Sequence, residues 1–297
     1  MSESVEELLA RNAQLVEEFT REHLPQEGVP RVLWESVVYG ATGGKKLRAS
    51  LLFATAQAYG IPEEKVLPLA AGIEMIHSFS LVHDDLPCMD NDDFRRGKPS
   101  LHKAFGEAMG VLAGDALLVE GLRMFVNNRE FLKTFGTRKV TAVTQVLLEA
   151  LGNQGMVGGQ VLDLLYQGKE VTEREVFEIY LRKTARFIQA PILCGGILGG
   201  ASRKERRLLS RFGLLLGECF QIKDDILDVT QESTRLGKTA GKDLVQGKAT
   251  LVRVQGISKA EKVMHHLFEE ACQILASLPR DFATLLALSR FVITRAY

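Results

Sequence analysis

Little in the bulk composition points to a partner. Lys plus Arg and Asp plus Glu number 37 each among 297 residues, so the formal net charge is zero. No global field favours nucleic acid or an anionic membrane surface, and a charged substrate must be met by local clusters. The four cysteines, Cys88, Cys194, Cys219 and Cys272, are far apart. They form neither a disulfide framework nor a ligand-like pair, which argues against a stapled secreted fold and a zinc site. The start, MSESVEELLARNAQLVEEF, is acidic and periodic and lacks the basic head and apolar run of a signal peptide. Apolar stretches such as GVLAGDALLVEGLRMF are broken by charge before membrane-spanning length. A cytoplasmic protein without nucleic-acid partner or stable membrane insertion is expected. Period-two alternation is scarce and no strand–turn–glycine fingerprint occurs, so a doubly wound nucleotide-binding fold is not expected.

Helical periodicity is abundant. Val5, Leu8 and Leu9, then Leu15, Val16 and Phe19, repeat at helical spacing. A helix over 31–39 stops at the glycines of YGATGGKK, and LLFATAQAYG reads as a buried helix closed by Gly60 and Pro62. Further helices are predicted over 66–83, 107–127, 139–166, 172–190, 203–229, 257–276 and 281–293. Gly152, Gly155, Gly158 and Gly159 are read as tolerated inside 139–166, where small residues permit close packing. The fold class is all-α, one domain over 1–297 with roughly ten helices.

Against this background two acidic clusters stand out. In HDDLPCMDNDDFRRGK, Asp84, Asp85, Asp90, Asp92 and Asp93 lie within ten residues, directly after an apolar helix. Pro87 argues against a regular helix through the cluster, and a local bulge would re-aim the later carboxylates. In FQIKDDILDV, Asp224 and Asp228 are four apart and share a helical face. Like charges at that spacing destabilise a bare helix, so the acidic face is expected to turn toward a polar cavity. Oxygen-only donors suit magnesium, which keeps waters and bridges to substrate phosphates. Two solvated helix ends are the plain alternative. Cations flank both clusters: Lys45, Lys46 and Arg48 after two glycines, Arg95 and Arg96, Lys183 beside Thr184, and Lys238, Lys242 and Lys248. Each alone reads as an ordinary surface charge. Together with the carboxylates they suit a diphosphate held partly by metal.

These segments, GGKKLRA, EMIHSFSLVHDDLPCMDNDDFRRGKP, GDALL, GGQVLDL, KTA, FQIKDDILD and GKTAGKD, stand in the order found in the trans-isoprenyl diphosphate synthases. The resemblance runs from about residue 40 to residue 250 and is nearest to the bacterial farnesyl type, with the geranylgeranyl type a near relative. It implies an isoprenoid synthase helical bundle around a central cavity, a homodimer, and magnesium, three ions with substrate bound. It also implies isopentenyl diphosphate and an allylic diphosphate as substrates. By this likeness Asp84, Asp85 and Asp90, and Asp224, Asp225 and Asp228, bind metal. Lys45, Arg48, His77 and Arg96 hold isopentenyl diphosphate. Arg95, Lys183 and Lys238 hold the allylic diphosphate, with Lys248 helping as the site closes. Thr184 and Gln221 face the developing allylic cation, and Gln160 and Asp163 line or support the cavity. His83 is a supporting candidate by its nearness to the aspartates. Lys46, Ala49 and Ala185 depart from the usual family residues without removing a substrate-binding charge.

Chain length is expected to follow the depth of an apolar pocket beside the residues before Asp84. Phe79 and Ser80, five and four positions upstream, lie on roughly the same helical side as Asp84. An aromatic there resembles the farnesyl-producing enzymes. A floor near Met109, Leu112 or Phe125 would instead give a geranylgeranyl product. A terpene cyclase would not need Lys45, Arg48 and Arg96, and a non-catalytic partner subunit would be expected to lack some of the aspartates.

Overall fold

The computed structural model describes residues 3–230 and 247–295, and these divide into two compact units. The first comprises 3–53 and 62–137, the second 54–61, 138–230 and 247–295. Among the described residues the only strands are a two-residue antiparallel pair, Phe94–Arg95 with Lys98–Pro99. The all-helical expectation holds, with fourteen α-helices and one π-helical turn among the described residues.

In the first unit, α1 (Val5–His23) starts on a capping box, Ser4 and Glu7 each accepting the other's backbone N–H. α2 (Arg31–Ala41) and the beginning of α3 (Leu47–Ala58) follow. α4 (Glu63–Asp84) is apolar nearly all round, and thirteen of its residues, Val66 to Ile76, Ser78 and Val82, are buried. It contains a stretch long and apolar enough to cross a membrane, but 72% of that window is buried inside the protein. The short α5 (Leu101–Phe105) leads into α6 (Glu107–Val126), which packs on α4 at glycine contacts. A Cβ on Gly72 would lie 2.3 Å from the Gly121 carbonyl oxygen. Neither backbone could approach so closely with a larger residue.

α7 (Arg129–Leu151) breaks at Gly136, whose φ of 74° suits glycine, and continues in the second unit. The single helix expected over 139–166 is instead two: α7 ends at Leu151, and α8 (Met156–Tyr166) starts after Gly155, at φ −110° and ψ −137°. Apolar periodicity passes through the break, but the glycine backbone leaves the helical region there. α9 (Glu173–Ile179), with a Thr172–Glu175 capping box, runs into a π-helical turn, Tyr180–Ala185, and then α10 (Arg186–Leu198). α11 (Arg203–Thr230) packs on α10 and on α13 (Ile257–Ala276), with α12 (Leu251–Gln255) and α14 (Ala283–Thr294) completing the unit. Cys194 and Cys219 are buried in it, and burial pushes both thiols up, Cys219 to about 12. They are inert core residues at neutral pH.

Lys46 carries a cost in the first unit. It has a left-handed φ of 47° and a side chain that is 1% exposed. Its ammonium donates to the Ala41 carbonyl at 2.6 Å and lies 3.7 Å from Glu17. Burial, opposed by Glu74 and Glu17 and reinforced by Arg96, lowers its pKa from 10.5 to about 8. Between those two values the unfolded chain binds more protons than the folded one, so stability rises with pH through that window. Urea unfolding at pH 7 and pH 10.5 should therefore show the wild type gaining on the order of 3 kcal/mol relative to Lys46→Met. Parallel pH profiles for the two proteins would refute this assignment.

Candidate active-site residues

The first acidic cluster is built by a loop folded back on a helix end. α4 stops at Asp84, and Asp85 caps it. The backbone N–H of Asp90 then donates to the Asp84 carbonyl at 2.9 Å, and that of Asp92 to the Asp85 carbonyl at 3.1 Å. Asn91 has a left-handed φ of 50°, and its N–H returns to Leu86 at 3.0 Å. Orphan carbonyls at the helix end are thereby used, and Asp90 and Asp92 return to the two leading aspartates. The re-aiming expected after Pro87 takes this form.

Asp84 and Asp90 are half-buried, whereas Asp85 is 2% exposed. Arg95 donates through Nε to both Asp85 oxygens, at 3.0 and 3.2 Å, and through Nη2 to Asp85 and, at 3.2 Å, to Asp92. Burial pushes the Asp85 carboxyl up, Arg95 pulls it down, and Asp92 and Asp90 push it up again, with a net rise. Burial also opposes the charge on Arg95, but its bond to Asp85 and the charges of Asp85, Asp92 and Asp84 raise its pKa. Asp92, 5% exposed, shares Arg95 with Asp85, a pairing that spacing alone did not give.

A cationic group lies in the same unit. Gly43 and Gly44 have φ of 86° and 84°, and a Cβ on Gly44 would meet the Arg96 guanidinium at 2.8 Å. The double glycine therefore lets Arg96 lie against the loop, donating to the Thr42 carbonyl at 3.2 Å. Arg48 is buried and Lys45 exposed. His77 is half-buried; burial first, then the charges of Arg48, Arg96, Lys46 and Arg95, hold its imidazole well below the ordinary range. A neutral imidazole beside several guanidinium and ammonium groups is an arrangement suited to an anion. Glu74, buried beneath α3, accepts the Ala49 N–H at 2.8 Å and moderates Lys46 and Arg96. Nothing in the sequence flagged it. Upstream of the aspartates, Phe79 is half-buried with its ring edge-on to His83, centroids 5.0 Å apart. Ser80 Oγ donates to the His77 carbonyl at 2.8 Å. His83 Nε2 lies 3.1 Å from the Val111 carbonyl and occupies the space above Gly114.

The second unit holds the remaining candidates. Gly159 has no Cβ to meet the Lys183 backbone nitrogen, which would lie 2.3 Å away, so α8 seats directly on the π-helical turn. Lys183 Nζ then donates to Asp163 at 2.6 Å. Ala185, where the family usually has glycine, packs against Gly217, which leaves room for its methyl. π-Helical turns re-aim side chains and occur often at functional sites. This one starts a chain of hydrogen bonds: Thr184 Oγ1 donates to Gln221 at 2.6 Å, and Gln221 Nε2 to Asp225 at 3.0 Å. Tyr180 also donates to Asp225 and accepts the Leu251 N–H at 2.7 Å. Asp225 and Asp228 are each 2% exposed. Asp224 keeps 40% of its side chain exposed and accepts a hydrogen bond from Arg295. Gln160 Nε2 is buried with no hydrogen-bond partner among the described residues. Lys248 is half-buried, while Lys238 and Lys242 lie outside the described residues. Tyr180 and Arg295 escaped the sequence reading, since no local spacing ties either to the aspartates.

The donor chemistry fits a hard cation. Each cluster is dominated by carboxylate oxygens, and beside the first the His83 imidazole lies against the Val111 carbonyl while Cys88 is exposed. Among the described residues no three acidic, histidine or cysteine side chains converge into a closed metal cage. Magnesium does not need one, being held by one or two carboxylates, waters and substrate phosphates.

Comparison with known proteins agrees with the chemistry. The polyprenyl synthetase family profile matches residues 30–281. The chain is 41% identical over 269 residues to a chloroplastic geranylgeranyl pyrophosphate synthase of Catharanthus roseus, covering 90% of this chain and 74% of that protein. It is 37% identical over 295 residues to the farnesyl diphosphate synthase of Geobacillus stearothermophilus, covering 98% of each. Its fold is similar to that of a Helicobacter pylori geranyltransferase solved with magnesium and isoprenyl diphosphate, with a TM-score of 0.82 and 28% identity over 99% of this chain and 97% of that one. With both acidic motifs and this likeness across nearly its whole length, the chain belongs to the polyprenyl synthetase family and is a trans-prenyl diphosphate synthase.

Proposed function

We propose that the protein condenses isopentenyl diphosphate head to tail with dimethylallyl and then geranyl diphosphate, releasing diphosphate and giving farnesyl diphosphate. The observation that carries the product length is Phe79, an aromatic ring placed just over one turn before Asp84 and braced edge-on by His83. Asp84, Asp85 and Asp90, and Asp224, Asp225 and Asp228, are proposed to hold magnesium at the allylic diphosphate. When bound, the metal neutralises charge developing on the leaving diphosphate. Arg95, Lys183, Lys238 and Lys248 would add donors to the same leaving group. Lys45, Arg48, Arg96 and neutral His77 would hold isopentenyl diphosphate. Its alkene electron pair forms the new carbon–carbon bond as the allylic C–O electrons leave with diphosphate. Loss of one proton from the adjacent carbon, taken up by the released diphosphate, restores an allylic alkene. Thr184 and Gln221 would turn oxygens toward the transient cation, and the apolar pocket would exclude water.

A homodimer is part of the same reading. Leu112, Val119 and Val126, seven residues apart on α6, are all exposed in the single chain and form one apolar stripe. Sedimentation should give a dimer for the wild type and a monomer for Val119→Asp; a monomeric wild type would remove this part of the proposal.

A geranylgeranyl product is the second reading, favoured by the 41% identity to the plant enzyme. Product sizing separates the two. Purified protein with magnesium, labelled isopentenyl diphosphate and, separately, dimethylallyl, geranyl and farnesyl diphosphates should accumulate the C15 product and use the farnesyl starter poorly. Phe79→Ala should shift the product toward C20. A wild type that makes mainly C20 overturns the farnesyl reading, and no condensation with any starter overturns the activity.

A further inference from the structure

Asp224 is tied to the far end of the chain. Arg295, just beyond α14, donates through Nη2 to Asp224 Oδ1 and, at 3.3 Å, to the Phe220 carbonyl. Its guanidinium lies over the Phe220 ring, 4.0 Å from the centroid. Phe220 and Asp224 are four apart on α11, so one planar group spans a ring, a carbonyl and a carboxylate on one helical face. The exposures are unequal: 8% for the Arg295 side chain against 40% for that of Asp224. An ordinary surface pair has both partners in water and contributes little. Here the arginine is fixed and the aspartate remains open.

We infer that Arg295 is a positioning residue for metal at Asp224. It engages one carboxylate oxygen and fixes the side-chain rotamer, so that the carboxylate is presented to a divalent cation without first having to be ordered. This rests on the proposal that the second acidic cluster binds metal in the presence of a diphosphate. A guanidinium that merely plugged the site would need to be free to leave. The stacking on Phe220 and the bond to its carbonyl hold Arg295 in place whether or not Asp224 is engaged. A lysine could keep the charge but could not reproduce the stack together with both bonds.

The test uses the full-length protein with Mn2+ and inorganic diphosphate, free Mn2+ being followed by electron paramagnetic resonance. Arg295→Ala should weaken one class of bound Mn2+ by about 10- to 100-fold, the range seen when a group supporting a metal ligand is removed. Arg295→Lys should recover only part of the loss. Phe220→Leu, which removes the ring but keeps the guanidinium, should weaken binding less. Circular dichroism establishes that each variant is folded, and the two milder variants carry the test if Arg295→Ala is not. Unchanged or tighter Mn2+ binding in the folded variants overturns the inference while leaving the proposed function in place. A wild type that takes up no Mn2+ with diphosphate overturns both.

Discussion

Crowded negative charge at the end of a buried helix is the constraint on which the first unit depends. α4 buries thirteen of its 22 residues and cannot move without exposing that core, and it ends at Asp84 with Asp85 as its cap. Helix C-termini already carry partial negative charge, so two carboxylates there, joined by Asp90 and Asp92, are unfavourable unless cations answer them. Arg95 supplies one answer from within the chain, bonded to both Asp85 and Asp92. Removing one partner of such a buried pair typically costs about 3–5 kcal/mol, since the other charge is then left uncompensated. Asp84 and Asp90 retain access to solvent. Within the cluster, Asp85 and Asp92 thus share a cation from the chain itself, while Asp84 and Asp90 keep partial exposure to solvent.

The second unit solves the same problem differently. Asp225 is absorbed by Tyr180 and Gln221, and through Gln221 it orders Thr184 on the π-helical turn. Tyr180 also receives the Leu251 N–H, so one buried network links three elements that lie far apart in sequence. Asp224 alone of this group is substantially exposed, and its arginine comes from the C-terminal segment. In each unit, then, an arginine is paired with one of the two adjacent aspartates. Fully satisfied polar networks of this kind rigidify their surroundings, which suits groups that must meet a diphosphate with little rearrangement.

Much of this was legible in the sequence. Apolar periodicity gave most helices, since a buried helix such as α4 leaves a long apolar run and ends visibly at charge. The acidic motifs were legible too, because five aspartates in ten residues stand out against an otherwise ordinary composition. Other features depend on backbone geometry that side-chain patterns do not report. The break at Gly155 lies within continuous apolar spacing, and the π-helical turn at Tyr180–Ala185 differs from an α-helix only in hydrogen-bond register. Burial of Asp85 beside a half-buried Asp84 is a matter of packing, which spacing cannot rank. Arg295 stands 71 residues from its aspartate and had no local signal at all.

Binding of a metal–diphosphate pair at the half-buried carboxylates, as proposed, is read by thermal unfolding. A ligand that binds only the folded state raises Tm. Magnesium together with inorganic diphosphate should raise the Tm of the wild type well above the effect of either alone, and Asp84→Asn should abolish most of that synergy. Equal, merely additive shifts in the wild type and the variant would contradict the account.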